Sequence, residues 1–137
     1  MLVQTYNPLS QAVACAASHD YATFSEAELE RRRQLGYPPH VRMMAVRIEG
    51  SEDGARRCAE AVGNAARAAF TADGRLSMLG PAPAAIEKIR GKYRWQALFK
   101  AADVSALRRV HRALAALALR PPHGASLRFD MDPQSML

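Results

Sequence analysis

Four basic side chains in seven positions, Lys88, Arg90, Lys92 and Arg94, surround Gly91 in the run Lys88-Ile89-Arg90-Gly91-Lys92-Tyr93-Arg94-Trp95-Gln96. Cations at this density suit a phosphate backbone, since each can displace a condensed counterion, and the glycine lets the main chain turn sharply or approach a ligand. The same residues also fit a solvated hairpin in a basic protein, and the run alone admits both readings. Tyr93 and Trp95 beside arginines have the makings of a base-stacking platform. Period-two alternation argues against that role for Trp95, which shares a face with Ala97, Phe99 and Ala101 and is expected in the core. Arg94, Gln96 and Lys100 then face solvent, and Tyr93, at the strand start, fits either role. The candidate nucleic-acid contacts are therefore Lys88, Arg90, Gly91, Lys92, Tyr93, Arg94 and Lys100.

Acid-base and metal chemistry find no comparable constellation. His19, His40, His111 and His123 are far apart, and the one close acid, Asp20, is adjacent to His19, where neighbouring side chains point apart. There is no GxxxxGK[ST] phosphate loop, GxSxG elbow or HExxH pair. Cys15 and Cys58 lack a second ligand at metal spacing and suggest no disulfide framework; both are expected to be buried thiols in a reducing cytoplasm. No catalytic residue, metal or cofactor is expected in this stretch.

A second cationic group, Arg108, Arg109 and Arg112, lies outside the apolar stripe Leu107, Val110, Leu114 and Leu117 of an expected helix, and is a candidate face for an acidic protein segment. Lysine and arginine outnumber aspartate and glutamate 19 to 13, a net charge of +6 that favours an anionic partner. With 49% hydrophobic and 23% charged residues the composition is globular rather than disordered. No run approaches the ~20 apolar residues of a membrane span, and no charged-then-apolar leader follows Met1, so a cytoplasmic protein with no membrane contact is expected.

The elements that must position these groups follow from periodicity and punctuation. Residues 2–6 read as a strand stopped by Asn7-Pro8, isolated enough to belong to a sheet elsewhere. Helices are expected over 10–17 and 25–35. The second has Glu26, Glu28 and Glu30 early and Arg31, Arg32 and Arg33 late, which complements the helix dipole, and Gly36 as its C-cap. Tyr37-Pro38-Pro39 predicts an extended linker and a domain boundary near residue 40. Beyond it come a strand over 41–48, a helix capped by Ser51 and ended near Asp73-Gly74, a short strand over 76–79, and a turn at Gly80-Pro81-Ala82-Pro83. A strand over 93–101, a helix capped by Asp103 or Ser105 and stopped by Pro121-Pro122, and a strand over 127–131 follow. Met43, Met44, Met78 and Met131 fall in strands and are expected in the core. The order from residue 41, strand-helix-strand-strand-helix-strand, predicts an α+β split βαβ fold. A four-stranded, mainly antiparallel sheet would carry two helices on one face, ferredoxin-like and ribosomal-protein-like, after a strand and two helices.

At several separated places the chain resembles the end of the bacterial primosomal replication-restart helicases of the PriA type. These are Val3-Gln4-Thr5-Tyr6-Asn7-Pro8, the stretch from Glu28 to Leu35-Gly36-Tyr37-Pro38-Pro39, and Leu79-Gly80-Pro81-Ala82-Pro83 with Arg90-Gly91-Lys92-Tyr93-Arg94-Trp95-Gln96. Asp130-Met131-Asp132-Pro133-Gln134-Ser135 is the last. The resemblance implies that residues 1–40 finish a second helicase lobe with linker helices and that residues 41–137 form a C-terminal domain binding DNA at stalled or abandoned forks. It further implies that ATP-driven 3′-5′ unwinding and zinc binding belong to upstream parts of such helicases. Arg90, Lys92 and Arg94 match the family's basic run as phosphate contacts. The family also implies partners: other primosome proteins, and single-stranded DNA-binding protein, whose acidic tail docks near the last helix, so the alternative reading is a protein-docking scaffold that packs on the helicase core and binds that tail. Arg108 lies on the matching helix, while Val104 stands where a further basic residue would serve that tail.

Overall fold

The computed structural model describes residues 3–70 and 76–133, which divide into two compact units, Met1–Gly36 and Tyr37–Leu137. The expected helix stop at Asp73-Gly74 and the tail 134–137 lie outside the described residues, as do Met1 and Leu2.

In the first unit, residues 3–6 form no strand: Val3 and Tyr6 are exposed, and no described segment of this unit pairs with their backbone groups. Helix α1 (Gln11–Ala17) is capped by the Ser10 hydroxyl, which accepts the Val13 N–H at 3.3 Å. Helix α2 (Tyr21–Leu35) begins four residues earlier than its sequence suggests, because Asp20 is the cap. The Asp20 carboxylate accepts the Thr23 N–H at 3.1 Å, and bonding from Thr23 holds its pKa below the ordinary value. Asp20 therefore serves helix initiation rather than an acid-base pair with His19. Glu26, Glu28 and Glu30 thus lie inside the helix instead of its first turn. Glu28 pairs with Arg31 and Arg32 at 3.2 and 2.8 Å, and Glu30 with Arg33 at 2.7 Å, so the arginine run is a set of solvated helix pairs. Gly36, at φ +60°, ends the helix in the left-handed conformation. Neither helix has a buried residue, and Cys15 is only half-buried, contrary to expectation.

The second unit opens on a turn. The His40 N–H donates to the Tyr37 carbonyl at 3.1 Å, so Tyr37-Pro38-Pro39 folds back where an extended linker was expected. Then follow β1 (Arg42–Gly50), α3 (Glu52–Ala69), β2 (Leu76–Ile89), β3 (Lys92–Ala101), α4 (Val104–Leu119), a 3₁₀ turn (Pro122–Gly124) and β4 (Ser126–Met131). The strands form one antiparallel sheet in the order β2-β3-β1-β4, the expected α+β arrangement. The helix caps fall where the sequence places them: the Ser51 hydroxyl accepts the Gly54 N–H at 3.1 Å, and Asp103 accepts the Ala106 N–H at 3.0 Å.

Register decides the two faces. Met44, Val46 and Ile48 of β1 lie opposite Phe99, Ala97 and Trp95 of β3, and with Leu127 and Phe129 of β4 they meet Ala55, Cys58, Val62 and Ala66 of α3 and Leu107, Val110 and Leu114 of α4. Trp95 packs against this core, as its alternation predicts. Burial pushes the Cys58 thiol pKa up. Met44 and Met78 join this core, whereas Met131 is 43% exposed, and Met43 is buried on the opposite face of the sheet.

The largest departure is β2. Its expected four residues are fourteen, since the strand runs through Gly80-Pro81-Ala82-Pro83 with irregular register after Leu79 and again after Pro83. Prolines are tolerated because β2 is an edge strand, where a missing N–H need not break a ladder. At Gly80, with φ +85°, a Cβ would stand 2.8 Å from the Gln96 carbonyl oxygen.

Candidate nucleic-acid interface

The basic run closes the β2–β3 hairpin, one residue pair beyond the end of the β1–β3 ladder at Tyr93. Ile89 pairs with Lys92, so Arg90 and Gly91 alone connect β2 to β3, at φ +49° and +79°. Two positive φ values in a two-residue connection define the tight hairpin turn whose twist matches that of the flanking strands. Glycine adopts this freely; arginine accepts a sterically costly conformation. Lys88, Ile89, Arg90, Gly91 and Lys92 are all exposed.

Pairing separates their directions. Lys88 lies opposite Tyr93, its ammonium 4.7 Å from the ring centroid and 3.4 Å from the hydroxyl, on the face shared with the helices. Ile89 and Lys92 are on the other face, with Arg94 two residues beyond. Among the described residues, Arg90 and Lys92 have no acidic partner. Arg94 does: its guanidinium lies 3.4 Å from Glu49 on β1, and its side chain is only 15% exposed. Lys100, six residues further along β3 and so about 20 Å away, sits with its ammonium 3.9 Å from the centre of the Tyr37 ring. The seven candidates thus form a cluster of five at the hairpin, one ion-paired arginine on the sheet, and one lysine at the sheet's far end.

The register brings two further cations together. Arg47 and Arg128 are directly opposite on β1 and β4, on the face away from the helices, and Arg47 approaches Asp130 at 3.6 Å. Like charges facing each other across strands cost stability. The alternation of Arg128 between Leu127 and Phe129 is the sequence signal that could have found it.

On the helix side the hairpin borders a cavity of about 360 Å³ lined by Glu52, Asp53, Arg56, Glu87, Tyr93 and Trp95. Arg56 is held by Asp53 at 2.8 Å and Glu60 at 2.6 Å, Arg57 by Asp53 at 2.7 Å, and these hydrogen bonds keep the Asp53 carboxyl below its ordinary pKa. Carboxylates here repel phosphate, so a polyanion meets the hairpin more favourably at its tip and on the Lys92 side.

Arg108, Arg109 and Arg112 are exposed on α4, on the other side of the sheet from Lys92. Arg108 and Arg112 are one helical turn apart and have no acidic partner among the described residues. His111 stands edge-on to Phe129 at 4.7 Å, a packing role. No group of three His, Cys, Asp or Glu side chains among the described residues could hold a metal ion, and no described helix is long and apolar enough to cross a membrane.

The fold resembles a de novo designed protein, Foldit4, with a TM-score of 0.50 and 12% identity over 69% of this chain and 99% of that one. The chain is 33% identical to Replication restart protein PriA of Treponema pallidum over 100% of its own length and 20% of the relative's. For the proteins of the same name in Bacillus subtilis and Synechocystis the values are 32% over 73% and 30% over 99% of the chain, covering 12% and 16% of those relatives. The chain therefore spans a fifth or less of the relatives' length. Residues 33–134, which hold the whole sheet and both its helices, match the family model described as Primosomal protein N C-terminal domain, and the chain belongs to that family.

Proposed function

We propose that this C-terminal domain binds DNA at stalled or abandoned replication forks through its β2–β3 hairpin. The observation that carries the reading is the pair Arg90 and Lys92: exposed, without acidic partners among the described residues, and held on a two-residue turn that costs little to order on binding. Lys88 and Gly91 support them at the tip, and Tyr93 braces Lys88. Lys100 contributes positive potential at the far end of the sheet rather than a first contact, and Arg94, paired with Glu49, adds little. Arg47 and Arg128 extend that potential across the face. On this reading the domain does no chemistry of its own. ATP hydrolysis, unwinding and zinc binding belong to other parts of a longer, cytoplasmic primosome helicase, whose second lobe ends in residues 1–40, and this stretch needs no cofactor. Substituting Arg90 and Lys92 with alanine should lower affinity for duplex DNA and reduce the log-log salt slope by about 0.9 for each lost phosphate contact. An unchanged slope would remove the hairpin from the interface.

A second reading concerns the opposite side of the sheet and is compatible with the first. Exposed Arg108 and Arg112, with Arg109, suit the acidic tail of single-stranded DNA-binding protein. Calorimetric titration with an acidic, phenylalanine-ending peptide should release heat with the native chain and none with Arg108→Glu/Arg112→Glu. Equal heats from both would exclude α4.

A further inference from the structure

The hairpin carries more than charge. Between the Pro83–Trp95 and Lys88–Tyr93 pairs, β2 advances five residues while β3 advances two, so β2 carries a bulge there, and Ile86 within it is 50% exposed. Ile89, the last β2 residue before the turn, is 41% exposed and is bounded by Lys88, Arg90 and its cross-strand partner Lys92. A single exposed aliphatic residue needs no explanation. Two on one hairpin strand, the outer one opposite Lys92 and next to Arg90 at the turn, form a more specific arrangement. An apolar side chain at the tip of a basic ribbon is how proteins enter the base stack of a duplex, with cations holding the flanking phosphates while the side chain separates two base pairs.

We infer that the hairpin tip is a wedge: Ile89, with Ile86 exposed three residues earlier on the same strand, inserts at a weakened base step of duplex DNA while Arg90 and Lys92 grip the phosphates on either side. This rests on the DNA-binding reading above and adds the feature of DNA that is recognised. Unstacking costs least at a mismatch, nick or branch point, where stacking is already impaired. The wedge therefore supplies structural selectivity without base-specific hydrogen bonds, whereas the cations supply sequence-independent and structure-independent affinity. The stiff two-residue turn matters here, because a flexible tip would fold aside instead of separating bases.

The test uses the whole chain and two duplexes, one matched and one with a single mismatch, each carrying 2-aminopurine at the central step. The native chain should raise 2-aminopurine fluorescence on binding and favour the mismatched duplex by about tenfold, a difference of about 1.4 kcal/mol. Ile86→Ala/Ile89→Ala should keep the salt slope of the native chain but lose the fluorescence rise and the preference, and Ile89→Leu, which retains an aliphatic tip, should restore both. Salt-dependent binding without a fluorescence rise, or an alanine variant indistinguishable from the native chain, overturns the wedge and leaves the DNA-binding reading standing. Absence of salt-dependent DNA binding by the native chain overturns both.

Discussion

Replacing Arg90 by asparagine should make the domain more stable and a poorer DNA binder. Arg90 holds φ +49° as the first of two turn residues, with glycine second. A left-handed conformation costs an ordinary L-residue roughly 1–2 kcal/mol, and asparagine, whose short side chain bonds locally, relieves part of it. Asparagine-glycine is also the favoured pair for this turn. Arg90 is exposed and has no acidic partner among the described residues, so its removal forfeits little in the free domain. The expected gain is on the order of 0.5–1 kcal/mol, or about 2–8 °C in Tm for a domain of this size. The same change deletes one positive charge at the tip and should reduce the duplex salt slope by about 0.9. Differential scanning calorimetry and fluorescence anisotropy over a salt series measure the two effects on one preparation. A lowered Tm would refute the assignment of strain to Arg90, and an unchanged salt slope would refute its phosphate contact. Both changes together would mean that this turn gives up stability for binding.

The core and its margins give three more expectations. Phe99 is fully buried, opposite Met44 and Met78 in the sheet, and Phe99→Ala should cost about 3–5 kcal/mol in urea unfolding. Gly80→Ala should destabilise the domain more than Gly91→Ala: both glycines have positive φ, but a Cβ at Gly80 meets backbone atoms at 2.8 and 2.9 Å, whereas one at Gly91 meets nothing within 4 Å. Equal urea midpoints would mean that the irregular part of β2 relaxes freely. Asp132 joins β4 to β1 by accepting the Met43 N–H at 3.0 Å and pairing with Arg42. Burial opposes its ionisation, but those bonds outweigh it, and its pKa lies below the ordinary value. Its contribution is therefore present above the unfolded-chain pKa of about 3.9 and lost as pH falls through the lower folded value. Asp132→Ala should be less stable than the native chain at neutral pH, with the gap narrowing in acid; a gap independent of pH would count against the ion pair.

Much of the sheet was legible because its signals are local. The alternation of Trp95, Ala97, Phe99 and Ala101 gave the buried face of β3, and Ser51 and Asp103 gave helix starts. The misreadings came where tertiary context overrides local preference. Ser25 was the expected start of the second helix, yet its hydroxyl donates to the Ala22 carbonyl at 2.9 Å inside a helix already started by Asp20. Pro81 and Pro83 suggest a break, but edge position, invisible to periodicity, lets β2 continue. Residues 3–6 have strand propensity without a neighbour to pair with. In the candidate site, the density of Lys88, Arg90 and Lys92 was evident, whereas the tight turn was masked by arginine in a place that usually holds asparagine. The neutralisation of Arg94 by Glu49 depends on the β1–β3 register, and so does the meeting of Arg47 with Arg128.

Contact between DNA and the hairpin is read residue by residue in a ¹⁵N-resolved NMR titration of the chain with a short branched duplex. The largest shift and line-width changes should fall on the backbone amides of residues 88–92, with smaller changes at Arg47 and Arg128 and none on α4. Changes confined to α4, with the hairpin amides unmoved, would contradict contact at the hairpin.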